Sequence, residues 1–197
     1  MTKRPLDMHV ARNDLFDPRG KLDRGRPLYV EVLWQIVKSL IFLSSLPWPN
    51  GLKRLLLVAF GAKVGRGLVL RPRVNIHFPW KLKIGDHCWI GDSCEILNLE
   101  PVTLEDHVAL AHEVYIAAGS HNVRSYTMAY DNAPVTIKTG TWVATRAFIA
   151  RGVTVGSNCV VAACAVVVRD VPDNTIVAGN PAKPIGRREI VDDLPVE

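Results

Sequence analysis

Between Val64 and Val167 aliphatic residues recur in runs of six-residue steps, and few architectures accept that period. The series runs Val64, Leu70, Ile76, then after a step of eight Ile84, Ile90, Ile96, and after another eight Leu104, Leu110, Ile116. A step of 21 leads to Ile137, Val143, Ile149, and Val155, Val161, Val167 follow without a break. All fifteen positions hold Leu, Ile or Val, types that fill only about 29% of the chain. Four residues after each of them comes Val, Ala, Ser, Thr or Cys in twelve of fifteen cases, the exceptions being Leu68, Trp80 and Glu100. Six is neither the period of a helix nor that of a strand. It suits a short strand plus a tight turn, repeated three times to close a triangular coil. The aliphatic column then fills the interior and the small column fits beside it. Stacked coils of this kind make a parallel β-helix, a solenoid in which each coil touches only its neighbours.

The residue between the two columns includes Gly67, His87, His107, Gly119, Gly140, Gly152 and Asn158. Gly, Asn and His tolerate positive φ, so this column is expected to be the turn. The four cysteines fit the same scheme. Cys88, Cys94 and Cys159 fall in the small column and Cys164 one position earlier, at a turn. Core packing explains them better than a disulfide framework, a metal set or a nucleophile.

With 197 residues, 48% of them apolar, the chain can build one sizeable core. The net charge of +5 arises from 24 basic and 19 acidic residues. It favours anionic ligands but is too diffuse for a nucleic-acid partner. The opening stretch MTKRPLDMHVARNDLFDPRG has no apolar core of a secretory signal, and a cytoplasmic location is expected. Leu28 to Leu46 forms an amphipathic helical stretch in which Glu31, Gln35 and Lys38 share one narrow face. Those charges argue against a membrane span. Pro47 and Pro49 end the stretch, and a second helix is expected from Leu52 to Phe60, before Gly61. The pair is expected to pack on the main body, with peripheral contact through 28–46 at the inner face of a membrane as the competing reading. Residues 1–62 thus read as an arm and helical cap, 63–187 as the solenoid with a loop inserted at about 118–135, and 188–197 as a tail.

The motifs I-G-D-H-C-W-I-G-D-S-C, I-A-R-G-V-T-V-G-S-N-C-V-V-A and V-P-D-N-T-I-V-A-G-N-P-A-K resemble the hexapeptide-repeat acyltransferase family. N-L-E-P-V-T-L from Asn98, the Ser120–His121 pair and the W-Q-I-V…F-G-A-K-V-G lead-in are similar to its acetyltransferases of colanic-acid-type exopolysaccharide biosynthesis. The resemblance covers about residues 60 to 187. It implies a left-handed β-helix, against the usual right-handed crossover, a homotrimer, and acetyl-CoA as donor with no metal. The acceptor it implies is a sugar hydroxyl, free or on a lipid-linked glycan.

His121 lies where the six-residue rhythm fails and a loop of roughly 16 residues leaves the coil, and interrupting loops are often functional. It matches the family's catalytic histidine and is the expected general base. His-Asn stands here where related sequences commonly have His-Asp, so the group that orients the imidazole stays open. By the same resemblance Trp142, Ala144 and Thr145 lie beside the thioester, with Thr145 the oxyanion candidate. Ala162 and Ala163 match a donor-binding Gly-Ala, while Arg169 and Lys183 match basic residues that meet CoA. Val168 and the A-A-C-A run depart from the family's Thr and G-A-G-S, which removes one side-chain hydrogen bond to CoA. Asn98, Tyr126, Tyr130 and Asp131, with Arg124 and Asn132, are the acceptor candidates; Asn98 rests on its family position and the others on their place in the loop. The helical lead-in is expected to be separable from the chemistry. Two alternatives remain at this level. One is a zinc carbonic anhydrase of the same fold using His107, His112 and a third imidazole. The other is a non-catalytic scaffold or sugar-binding solenoid.

Overall fold

In the computed structural model, which describes residues 10–18, 20 and 22–191, the period becomes a three-sided prism. The expectations placed on residues 1–9 and on the tail at 192–197 lie outside the described residues. The first side stacks Lys63–Val64, Leu82–Ile84, Val102–Leu104, Val135–Ile137 and Thr154–Val155. The second stacks Val69–Leu70, Trp89–Ile90, Ala109–Leu110, Trp142–Val143 and Val160–Val161, then Thr175–Gly179, and closes with Ala182–Arg187. The third stacks Asn75–Ile76, Glu95–Leu97, Tyr115–Ala117, Phe148–Ile149 and Val166–Val167. All pairings between coils are parallel, and only the last strand turns back antiparallel. The fold is a left-handed β-helix with an N-terminal helical segment.

Fourteen of the fifteen aliphatic positions are buried; Val64, in the first strand, is partly exposed. Small residues of the second column fill the space between the stacked aliphatics, and Cys88, Cys94 and Cys159 are buried there. Burial raises all three thiols, Cys94 to about 11, which suits packing and disfavours a thiolate. The turn column has positive φ at eleven of its fifteen positions. The four others, Pro79, Leu99, Gly119 and Asp170, all lie at the corner between the third and first sides. Gly119 is therefore a glycine for a different reason than φ. A Cβ there would stand 2.7 Å from the Leu99 side chain of the coil below.

That third corner is also where both eight-residue steps and the long loop occur. Regularity holds at two corners; the third is enlarged in the first three coils and returns to the six-residue step at Gly152.

Two helices, α1 (Leu28–Val37) and α2 (Asn50–Ala59), cap the open edge of the first coil. A π-helical turn, Lys38–Phe42, continues α1. An unpaired solenoid edge exposes a row of backbone groups, and the cap answers them. Trp34 Nε1 donates to Ile76 O at 3.0 Å, Lys53 Nζ to Leu70 O at 2.8 Å, and Arg54 to the Val64 and Gly65 carbonyls. Asn50 Oδ1 accepts the Leu70 N–H. The α1 orientation reverses what amphipathicity leads one to expect. Glu31, Trp34, Lys38 and Phe42 face the solenoid, while the broad apolar side faces out. Glu31 is satisfied by Arg24, and the Lys38 ammonium is attracted by Glu95.

Candidate active site

The loop that leaves the third coil at Ala118 folds back on itself and rejoins the coil at Val135. Ser120 O accepts the Asp131 N–H, Ala118 O the Ala133 N–H, and His121 pairs with Tyr130 in an antiparallel bridge. His121 Nδ1 lies 2.6 Å from the carbonyl oxygen of Met128. A carbonyl can only accept, so Nδ1 carries the hydrogen and Nε2 keeps its lone pair. The orienting group that the sequence left open is thus a backbone carbonyl. Asn122 does not fill that place, because its Oδ1 accepts the Arg124 N–H at 2.9 Å and shapes the turn instead.

Tyr130 stacks on the imidazole with centroids 5.3 Å apart. Phe16, from the N-terminal arm, meets both rings edge-on at 5.1 and 5.2 Å. The arm ahead of the helices therefore touches the loop that carries His121, whereas the separability expected of the lead-in concerned the helical stretch that follows it. The arm climbs the third corner: the Arg24 carbonyl accepts the Trp80 indole N–H at 2.7 Å, and the Arg12 N–H donates to Tyr126 O at 2.8 Å. Phe16 and Met128 were missed because one is 105 positions from His121 in a stretch without motif and the other acts through its backbone. Arg151 was also missed. It sits on the next coil and forms an ion pair with Asp131. Beside the loop is a cleft of about 360 Å³ lined by Ala117, Gly119, Ser120, Phe148, Ala150, Arg151 and Val168.

The acceptor candidates divide. Tyr130 and Asp131 stand with His121, and Tyr126 lies under the arm beside Arg12. Asn98 is a correction. It is 0% exposed, its Oδ1 accepts the Phe78 N–H at 2.9 Å and its Nδ2 donates to the Phe78 carbonyl. Both polar ends join two coils at that corner, and the buried side chain offers no face to a sugar.

The donor candidates form two groups. Trp142 lies outward on the second side at 47% exposure, and Ala144, Thr145, Ala162 and Ala163 stand at the corner between the second and third sides. Arg169 and Lys183 line one cleft of about 180 Å³ at the C-terminal end. Within one chain, the strand Phe148–Ile149 separates Thr145 from the corner that carries His121. The histidines proposed for zinc do not converge within one chain either. His107, His112 and His121 occupy three different corners. His87 and His107 stack on each other at positive-φ turns, and His112 Nδ1 accepts the Asp92 N–H. Among the described residues no group of three His, Cys, Asp or Glu could hold a metal ion.

Residues 81–118 and 145–169 match the family described as the hexapeptide repeat of succinyl-transferase. The colanic acid biosynthesis acetyltransferase WcaF of Escherichia coli is 37% identical over 156 residues, 79% of this chain and 86% of that protein. The chain belongs to the hexapeptide-repeat acetyltransferase family. The galactoside O-acetyltransferase of Escherichia coli is 31% identical over 135 residues, 66% of this chain and 65% of that one. Among solved structures, the acetyltransferase VCA0836 of Vibrio cholerae, complexed with acetyl-CoA, superposes with a TM-score of 0.75 at 25% identity. That match covers 82% of this chain and 88% of the other. Family membership accounts for the solenoid and for an enzyme that transfers acetyl groups from acetyl-CoA.

Proposed function

We propose that this protein is a sugar O-acetyltransferase of surface-glycan biosynthesis, acting as a homotrimer whose sites form between neighbouring chains. The observation that carries it is the tautomer of His121, fixed by the Met128 carbonyl so that Nε2 can accept a proton. In the reaction, Nε2 takes the proton of a sugar hydroxyl as that oxygen attacks the thioester carbonyl. The oxyanion of the tetrahedral intermediate is met by Thr145, through its hydroxyl or an adjacent N–H. Collapse breaks the C–S bond, and the departing thiolate takes the proton from the imidazolium. No acyl-enzyme is needed. Trp142, Ala144, Ala162 and Ala163 flank the pantetheine arm, and Arg169 and Lys183 face the phosphates.

The separation of His121 and Thr145 onto different corners supports the trimer, in which a neighbouring copy would bridge them. A cytoplasmic location, at the inner face of the membrane, suits a donor made in the cytoplasm. Tyr130 and Asp131 are the acceptor contacts, and a lipid-linked glycan is as suited to the open cleft as a free sugar. The division at 62/63 separates the cap from the acyltransferase solenoid. The test is thiol release from acetyl-CoA with a panel of sugar acceptors. His121→Ala should cut turnover roughly 10²–10⁴-fold while leaving acetyl-CoA binding intact. Equal turnover in the variant would sink the assignment.

A further inference from the structure

The cap leaves an apolar surface with no partner among the described residues. Leu28, Val32, Leu33, Ile36, Leu40 and Leu46 are 52–69% exposed, and Leu55 and Val58 of α2 are exposed as well. On α1 these positions fall at i, i+4, i+5, i+8 and i+12, one continuous face, while Glu31, Trp34 and Lys38 point the other way into the solenoid. Soluble chains seldom expose contiguous apolar area of this kind without a use for it. The helices answer backbone groups from all three sides of the first coil, so their outer faces look away from the stack, beyond its end. A side-by-side assembly of solenoids leaves that end uncovered.

Charge identifies the occupant. From Val32 to Gly85 there are nine basic residues and no acidic one. Lys38 and Lys53 are buried in the cap, but Arg54, Lys63, Arg66, Arg71 and Arg73 are exposed around it and on the first coil. Arg66 and Arg71 pair with Asp86 and Asp92 of the second coil, and Arg26 adds a further exposed charge ahead of α1. An apolar face rimmed by cations suits an interface of acyl chains beneath anionic headgroups. It opposes end-to-end pairing of two copies, which would bring two basic rims together. Among the described residues no helix is long and apolar enough to cross a membrane, so the cap would lie on the bilayer.

We infer that the outer face of α1 and its π-helical extension, with α2 beside it, docks the protein on an anionic lipid surface. The inference does not rest on the acetyl-transfer reading, and its readout does not use activity. The full chain is floated with vesicles of phosphatidylcholine mixed with phosphatidylglycerol, and with vesicles of phosphatidylcholine alone. Binding should be about tenfold or more stronger on the anionic vesicles and should weaken as salt is raised. Leu33→Glu with Ile36→Glu should abolish flotation without lowering the thermal midpoint, because both side chains are already exposed. Equal binding to both vesicles, or undiminished binding by the double variant, overturns the inference. A wild-type mass by light scattering that is twice that of the double variant also overturns it, and gives the face to a second copy.

Discussion

His121 and Asn98 were both singled out by family position, and the structure separates them by what their polar atoms already do. The imidazole spends Nδ1 on Met128 and leaves Nε2 without a hydrogen-bond partner among the described residues, whereas Asn98 directs both ends at Phe78. Asn98→Ala should therefore act on stability. It leaves the buried Phe78 N–H unpaired and removes one of the two donors to the Phe78 carbonyl, which keeps the Lys81 N–H, at about 1–3 kcal/mol, and a thermal melt should fall while the KM for sugar in the surviving fold stays put. A raised sugar KM with an unchanged melt would return Asn98 to the site. Phe16 makes the opposite prediction. Its edge contacts to His121 and Tyr130 brace the two stacked rings, so Phe16→Ala should lower sugar turnover about 3–10-fold with acetyl-CoA binding intact. If Arg169 and Lys183 meet the CoA phosphates as proposed, Arg169→Glu and Lys183→Glu should raise the KM for acetyl-CoA and leave kcat near wild type, the signature of lost uniform binding. An unchanged KM in both would make them surface charges.

At the scale of elements, the strands and turns were legible and the orientation of α1 was not. Fifteen aliphatic positions at one period leave no other way to bury themselves, so the solenoid could be read coil by coil. The widened third corner was visible only as broken rhythm, because insertion lengths say where a loop leaves and nothing about what it touches. Amphipathicity failed on α1 for a definable reason. Its inward face must satisfy the carbonyl edge of the first coil, which calls for donors such as Trp34, and leaves the leucines outside. The cap's two buried lysines give this a pH signature. Burial lowers Lys53 and Lys38 below the usual 10.5, against the attraction of Asp92 and Glu95, with Arg71 lowering Lys53 further. Between those depressed values and 10.5 the unfolded chain holds more protons than the folded one, so these groups make stability rise with pH in that window. Lys38→Met with Lys53→Met should flatten that rise in melts taken from neutral to alkaline pH. An identical slope in the variant would show that the two ammonium groups are solvated.

For the whole molecule, the decisive geometry is that one prism carries the proposed base and the proposed donor corner on different edges. His121 leaves the third corner, and Thr145, Ala162 and Ala163 occupy the second, with a strand of the third side between them. A single chain cannot bring both to one carbon without breaking a sheet that is parallel and paired through five coils. Copies packed side by side with a closed rotation axis can do so, the base of one chain facing the donor corner of the next. This predicts complementation. His121→Ala lacks the base but keeps the donor corner. Ala163→Trp keeps the base and fills the donor corner from an exposed turn position, where the added ring does not disturb the core. Each variant alone should be inactive. Unfolded together in equal amounts and reassembled, they form mixed oligomers in which a chain with an intact base meets a neighbour with an intact corner. Random mixing places that pair at about one interface in four, so roughly a quarter of wild-type turnover should return. Refolding each variant separately and then combining them should return little until subunits exchange. Recovery of nothing from well-assembled mixed oligomers would mean that base and donor corner serve the same site within one chain, and the bridging arrangement would have to be abandoned.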